Sequence, residues 1–271
     1  MASITLTKHH GLGNDFLIAV SPTVDLGPDD AVRLCDRKRG IGADGLISAA
    51  RFGEDASRWS MTLWNADGSR AAVSGNGLRC LGQALVLHHD DGQQAMTFHV
   101  QTDAGERRVA VQPDRDSDTD QVAVDMGQAR PGARISSRWG ELGIGVTQQV
   151  AVDIGNPHLV AVVDDPAAVD LAVVGPAVEQ DYADGINLEL IAVHSRSEIS
   201  LRVWERGVGI TEACGSGACA AVWASQSLGL VDSRVTVAMP GGMAMVELVD
   251  GAVLLSGPAT FVAVVEVERR P

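Results

Sequence analysis

One local pattern occurs twice, and it constrains the fold more than anything else in the chain. In the second half, Ile199 to Trp204 reads as a strand. It is followed by the charged turn at Glu205-Arg206 and by Cys214, and Gly215-Ser216-Gly217 then opens an alanine-rich helix. In the first half, Leu63 to His89 repeats the order, with Ser74-Gly75-Asn76-Gly77 at the place of Cys214-Gly215-Ser216-Gly217. Unpaired N–H groups and the helix dipole at such starts favour a thiolate or a bound carboxylate. Two copies predict two similar domains, each aiming a helix start at a shared cleft, with Ser74 and Cys214 facing it. A thiolate beside a held carboxylate suits removal of a proton from the adjacent carbon.

The rest of the pattern supports an α+β fold. Short alternating runs predict strands at Ile4 to Thr7, Phe16 to Val20, Met61 to Trp64, Met96 to Val100, Arg107 to Val111 and Val122 to Asp125. Asp29 to Asp36 reads as a helix with acidic residues in its first turn. Later strands are expected at Gln149 to Ile154, Leu159 to Val163, Ile186 to Val193, Val235 to Ala238, Ala244 to Leu248, Ala252 to Leu255 and Phe261 to Glu268. Strand and helix do not alternate regularly, which argues against a doubly wound parallel sheet. The expected architecture is two pseudo-symmetric α+β domains, each an antiparallel sheet wrapped around a central helix. The polar stretch Pro113 to Gln121 is the linker-like segment. It sets expected domains of residues 1–117 plus 260–271, and 118–259.

Composition narrows the function classes. The net charge of −14 disfavours nucleic acid as a partner, which wants a basic stripe. Any anionic ligand must be held by local arginines and helix ends against the global field. Apolar runs are short and broken, so no membrane span or signal peptide is expected. The four cysteines show neither zinc-type nor disulfide-type spacing, which points to a reducing cytoplasm. Cys35, Cys80 and Cys219 read as small buried hydrophobes. Cys214 is expected to have a lowered pKa and to be the thiol alkylated first.

The motifs KHHGLGNDF (Lys8 to Phe16), GIGADG (Gly40 to Gly45), WNADGS (Trp64 to Ser69), SGNGLRC (Ser74 to Cys80), GNPH (Gly155 to His158), GINLEL (Gly185 to Leu190), ERGVG (Glu205 to Gly209), ACGSGACAA (Ala213 to Ala221) and PGG (Pro240 to Gly242) occur in the order seen in diaminopimelate epimerases, which the chain resembles over nearly its whole length. The resemblance implies cofactor-independent interconversion of LL- and meso-diaminopimelate, in lysine and cell-wall precursor synthesis, by a cytoplasmic homodimer whose ligand is a small amino acid. It implies two cysteines across the substrate α-carbon, one removing a proton and one delivering it. Cys214 matches one of them. His158 and Glu205 match residues that tune the pair. Asn14, Asn65, Asn156, Asn187 and Arg206 match substrate-binding positions, with Arg206 gripping the remote carboxylate. Gly75-Asn76 and Gly215-Ser216 match the helix starts that grip the reacting carboxylate.

The chain departs from that pattern at three places. Ser74 stands where the family has its first cysteine, Ile210 where it has a glutamate, and Gly45 where many members have glutamine. A serine hydroxyl is a far weaker acid than a thiol and needs a base beside it. Three readings follow. In the first, the protein is an epimerase with Cys214 as base and Ser74 or water completing delivery. In the second, it is a racemase, isomerase or dehydratase for which one-sided proton removal suffices. In the third, it is a non-catalytic amino-acid-binding relative.

Overall fold

The structure is a computed structural model, and it describes residues 3–21, 26–89, 95–114, 116–132 and 138–268. The chain divides into two compact units, Met1–Val124 with Gly257–Pro271, and Asp125–Ser256.

The first unit is built from β1 (Ser3–Gly11), β2 (Asn14–Val20), α1 (Pro28–Cys35), β3 (Gly45–Arg51), β4 (Arg58–Asn65), β5 (Arg70–Ala71), α2 (Gly75–His88), β6 (Met96–Thr102), β7 (Gly105–Gln112) and β8 (Thr119–Asp125). Residues 119–121 of the polar stretch therefore form the start of β8, and residue 115 lies outside the described residues. Neighbouring strands are antiparallel except β2–β3 and β4–β6, which are parallel. Parallel neighbours need a crossover, and the helices α1 and α2 lie in those two connections. The sheet is thus mixed rather than purely antiparallel.

Helix α2 explains why the sheet wraps. Every residue from Gly75 to Val86 is buried, so no face of the helix is left for water, as expected of a helix enclosed by a core. Leu78, Leu81 and Leu85 are fully buried, and such a side chain contributes about 1.5–3 kcal/mol on burial. Gly82 allows the closest approach to the sheet, because a Cβ there would stand 2.8 Å from Val109 Cγ1.

The second unit holds β9 (Arg130–Pro131), β10 (Gln148–Asp153), β11 (Pro157–Val162), α3 (Leu171–Glu179), β12 (Asn187–Ser195), β13 (Glu198–Glu205), β14 (Gly209–Thr211), α4 (Gly215–Ser227), β15 (Arg234–Met239), β16 (Gly242–Val249) and the first part of β17 (Ala252–Glu268). Residues 257–268 of β17 belong to the first unit and pair with β1. Two separate strands were expected in this region, but a single long strand runs through both. Helix α4 is buried along its length except at Ser216, Trp223 and its last turn.

The two units have the same topology. β10–β11, β12–β13, β13–β14 and β15–β16 are antiparallel, while β11–β12 and β13–β15 are parallel. Register then gives residue equivalences. Phe16 pairs with Gly45 as His158 pairs with Asn187, and Leu46 pairs with Trp64 as Leu188 pairs with Trp204. Asn14 therefore corresponds to Asn156, Phe16 to His158, Gly45 to Asn187, Ile47 to Glu189, Asn65 to Glu205 and Ser74 to Cys214. Among the described residues no helix is long and apolar enough to cross a membrane.

Candidate active site

Each unit carries half of the expected constellation. In the second, Cys214 is the N-cap of α4, with extended backbone (φ −125°, ψ 114°), and its Sγ accepts from the Gly217 N–H at 3.3 Å. Ser216 Oγ lies 3.5 Å from the same sulfur. Glu205, the last residue of β13, accepts a hydrogen bond from the Thr211 hydroxyl, and its carboxylate acts electrostatically on the Cys214 thiol. The β13–β14 turn brings these groups together, since Glu205 pairs with Gly209 and Thr211 lies two residues further along β14.

His158 and Glu189 lie on adjacent parallel strands, and both are fully buried. His158 Nδ1 is 2.7 Å from Glu189 Oε1, and Nε2 is 3.0 Å from Asn156 Oδ1. The Asn156 amide donates to Ser216 Oγ at 3.4 Å. Glu189 Oε2 is buried without a hydrogen-bond partner among the described residues. Asn187 donates to the Pro157 carbonyl at 2.8 Å and accepts from the Arg206 N–H at 3.0 Å. Arg206 is exposed, and its Nη1 donates to the Asp184 carbonyl at 3.1 Å.

The electrostatics reverse the expectation of a lowered thiol pKa. Burial pushes the Cys214 thiol well up, and the Glu205 and Glu189 carboxylates push it further. Its hydrogen bonds to Ser216 and the Gly217 N–H oppose this and are the smaller influences. A helix start lowers a thiol when nothing competes; here two carboxylates and nearly complete burial do. Burial also raises Glu205, against the hydrogen bond from Thr211. The resting cluster therefore keeps the proton on sulfur.

The first unit repeats the framework without the acid–base groups. Ser74 is the N-cap of α2 (φ −139°, ψ 122°), and its Oγ accepts from the Gly77 N–H at 3.0 Å. Asn65 donates to Ser69 Oγ at 2.9 Å. Asn76, 3% exposed, donates to Asn14 Oδ1 at 3.1 Å. The register positions of His158, Glu189 and Glu205 are held here by Phe16, Ile47 and Asn65. At Gly45 an added Cβ would lie 3.1 Å from the Phe16 ring, so aromatic packing occupies the space beside the missing glutamine. Ile210 is about half exposed at the end of the Glu205 turn.

The structure thus brings Cys214, Glu205, His158, Asn156, Ser216, Asn187 and Arg206 into one neighbourhood, and Ser74, Asn14 and Asn76 into another. Glu189 was not among the expected site residues. Its only sequence signal is a carboxylate inside the otherwise apolar run Leu188 to Val193.

Comparison with known proteins finds relatives over nearly the whole chain. The family described as Diaminopimelate epimerase matches residues 6–131 and 150–262. Diaminopimelate epimerase 1 of Nostoc sp. is 38% identical over 276 residues, covering 95% of this chain and 97% of its own. The diaminopimelate epimerase of Magnetococcus marinus is 39% identical over 272 residues, covering 94% of each chain. Among solved structures, a phenazine biosynthesis protein from Bacillus anthracis shares the fold with TM-score 0.74 at 12% identity, over 99% of this chain and 100% of that one. A hydroxyproline epimerase from Agrobacterium vitis does so with TM-score 0.67 at 15% identity, over 98% and 92%. With both helix starts inside the matched residues and full-length relatives at this identity, the chain belongs to the diaminopimelate epimerase family and is an isomerase.

Proposed function

We propose that the protein interconverts LL- and meso-diaminopimelate, a step of lysine and peptidoglycan-precursor synthesis, as a cytoplasmic homodimer. The observation that carries this reading is the buried Cys214 thiol capping the start of α4 under the influence of the Glu205 carboxylate, in a chain 38% identical to named diaminopimelate epimerases. The thiol proton passes to the Glu205 carboxylate: the S–H bond breaks and an O–H bond forms. The thiolate then takes the substrate α-proton. Only this transfer avoids adding a second negative charge beside Glu205, which burial would penalise heavily. Backbone N–H groups at the α2 and α4 starts hold the reacting carboxylate and stabilise the developing carbanion. Asn14, Asn65, Asn156, Asn187 and Arg206 bind the rest of the ligand.

In this reading Ser74 and Cys214 flank the α-carbon, and Ser74 or a water held by it returns the proton on the second face. Phe16, Ile47 and Asn65 give Ser74 no acid–base partner at the register positions that serve Cys214. That observation favours, as a second reading, an isomerase of the same family whose substrate needs proton transfer on one face only. The test is incubation of the purified protein with LL-diaminopimelate and separation of the stereoisomers. Formation of the meso isomer supports the first reading. Binding without any meso product, with loss of the α-proton to solvent, transfers support to the second.

A further inference from the structure

Arg79 is fully buried on α2, about a turn and a half beyond Ser74. Its Nη2 donates to Asn76 Oδ1 at 2.6 Å and its Nη1 to the Pro258 carbonyl at 2.9 Å. Gly11 packs directly on it, since a Cβ there would stand 3.1 Å from Nη2. From Asn76 a chain of hydrogen bonds continues. The Asn76 amide donates to Asn14 Oδ1 at 3.1 Å, and the Asn14 amide donates to Asp44 Oδ2 at 2.8 Å. The other oxygen of Asp44 accepts from Arg37 at 2.8 Å.

The two ends of this chain decide its direction. A guanidinium only donates and a carboxylate only accepts, whereas a carboxamide can do either and could be turned over. With Arg79 at one end and Asp44 at the other, one orientation satisfies every link. Each carboxamide turns its carbonyl towards Arg79 and its amide towards Asp44. We propose that Arg79 and Asp44 are positioning residues of the first half-site: they fix the orientation of Asn76 and Asn14, and so which atoms these side chains offer a ligand. The proposal rests on the reading that Asn14 and Asn76 bind the substrate.

The second unit is wired differently. Cys219 stands at the position of Arg79, Ile186 at that of Asp44 and Ser216 at that of Asn76. There Asn156 turns its carbonyl to His158 and its amide to Ser216. The two equivalent asparagines, Asn14 and Asn156, are thus oriented by different partners, a carboxylate in one unit and an imidazole in the other. Equivalent positions of a pseudo-repeated scaffold thus present unlike hydrogen-bonding atoms.

The test is a double-mutant cycle in the full-length protein: Arg79→Met, Arg79→Lys, Asp44→Asn and Arg79→Met/Asp44→Asn. Each variant is checked for folding by circular dichroism and assayed for kcat and KM with LL-diaminopimelate. Asp44→Asn is the decisive single change, because an amide at position 44 can donate and lets Asn14 turn over. Asp44→Asn and Arg79→Met are expected to raise KM about tenfold, as loss of a charge-assisted hydrogen bond does, with a smaller effect on kcat. Arg79→Lys, which keeps a cationic donor but loses the two-armed fork, is expected to fall between wild type and Arg79→Met. The double variant is expected to lose no more than the worse single, because a chain already broken cannot be broken again. Folded Asp44→Asn protein with wild-type KM, or losses that multiply in the double variant, would overturn the proposal. If wild type does not turn over diaminopimelate, the substrate reading has failed. The chain is then judged by the same cycle on melting temperature, where a non-additive loss supports it and an additive one overturns it.

Discussion

His158 and Glu189 are both fully buried, and their Nδ1 and Oε1 atoms are 2.7 Å apart on adjacent parallel strands. Their register equivalents in the first unit are Phe16 and Ile47, which have no chemistry to offer a proton. Two units with one topology therefore differ in kind: one holds a thiol among ionisable groups, the other a hydroxyl whose register neighbours Phe16, Ile47 and Asn65 do not ionise.

That difference predicts how Cys214 reacts. Burial, Glu205 and Glu189, in that order, raise its pKa. Alkylation of the native protein should be slow near neutral pH, with a midpoint above the value of about 8.5 for a free cysteine. Glu205→Gln should move the midpoint down, and Glu189→Gln should move it down less. Glu205→Gln should at the same time abolish α-proton exchange, because the thiol loses its proton acceptor. Mass spectrometry of alkylated protein across pH checks this, and faster exchange in Glu205→Gln would contradict it.

The same shift has a stability consequence. A group raised in the folded state stabilises most at pH below its unfolded value and loses that contribution as pH rises towards the folded one. Wild type should lose melting temperature above about pH 8.5 more steeply than Cys214→Ser, measured by calorimetry at pH 7 and above.

His9 works in the opposite sense. It is fully buried, its Nδ1 lies 2.8 Å from Gln83 Oε1, and burial lowers its pKa to about 4. Its contribution is complete above the unfolded value of about 6.5 and lost as pH falls towards 4, to an extent on the order of 3 kcal/mol. His9→Gln should flatten the fall in melting temperature between pH 7 and pH 4.5. An unchanged slope would show that His9 does not resist protonation.

Glycines at the two helix starts should respond unequally. A Cβ on Gly217 would stand 2.7 Å from Glu189 Oε1, whereas one on Gly77 would stand 3.2 Å from both the terminal methyl of Ile47 and Ser74 Cβ. Gly217→Ala must displace a buried carboxylate and should cost about 1–3 kcal/mol together with most of the activity. Gly77→Ala should cost less, because its nearest contacts are 3.2 Å away rather than 2.7 Å and need yield only a few tenths of an ångström. Chemical denaturation of the two variants compares them directly.

The repeated helix starts were legible because Ser74-Gly75-Asn76-Gly77 and Cys214-Gly215-Ser216-Gly217 are local patterns with local causes. Their surroundings were not. Strand β3 is the run GLISAAR, mostly buried and without alternation, so it gives no period-two signal. Helix α3 contains Gly175 and Pro176, which read as a break, yet Gly175 is needed because the Trp204 ring occupies the space of its Cβ. Pro258 sits inside β17 and hid the continuity of that strand, while its carbonyl serves Arg79. The raised pKa of Cys214 was unreadable for a similar reason: the helix start is encoded beside the cysteine, but its burial comes from the rest of the fold and Glu189 acts on it from another strand.

The most direct test of the account is α-proton exchange set against inversion. Wild type and Ser74→Cys are incubated with LL-diaminopimelate in deuterium oxide, and deuterium uptake and stereochemistry are followed together. Because only the Cys214 side has a group to take the proton, wild type is predicted to exchange faster than it inverts. Ser74→Cys is predicted to bring inversion up towards exchange, and Cys214→Ser to abolish both. Wild type that inverts as fast as it exchanges, with no change in Ser74→Cys, would contradict the inequality of the two half-sites.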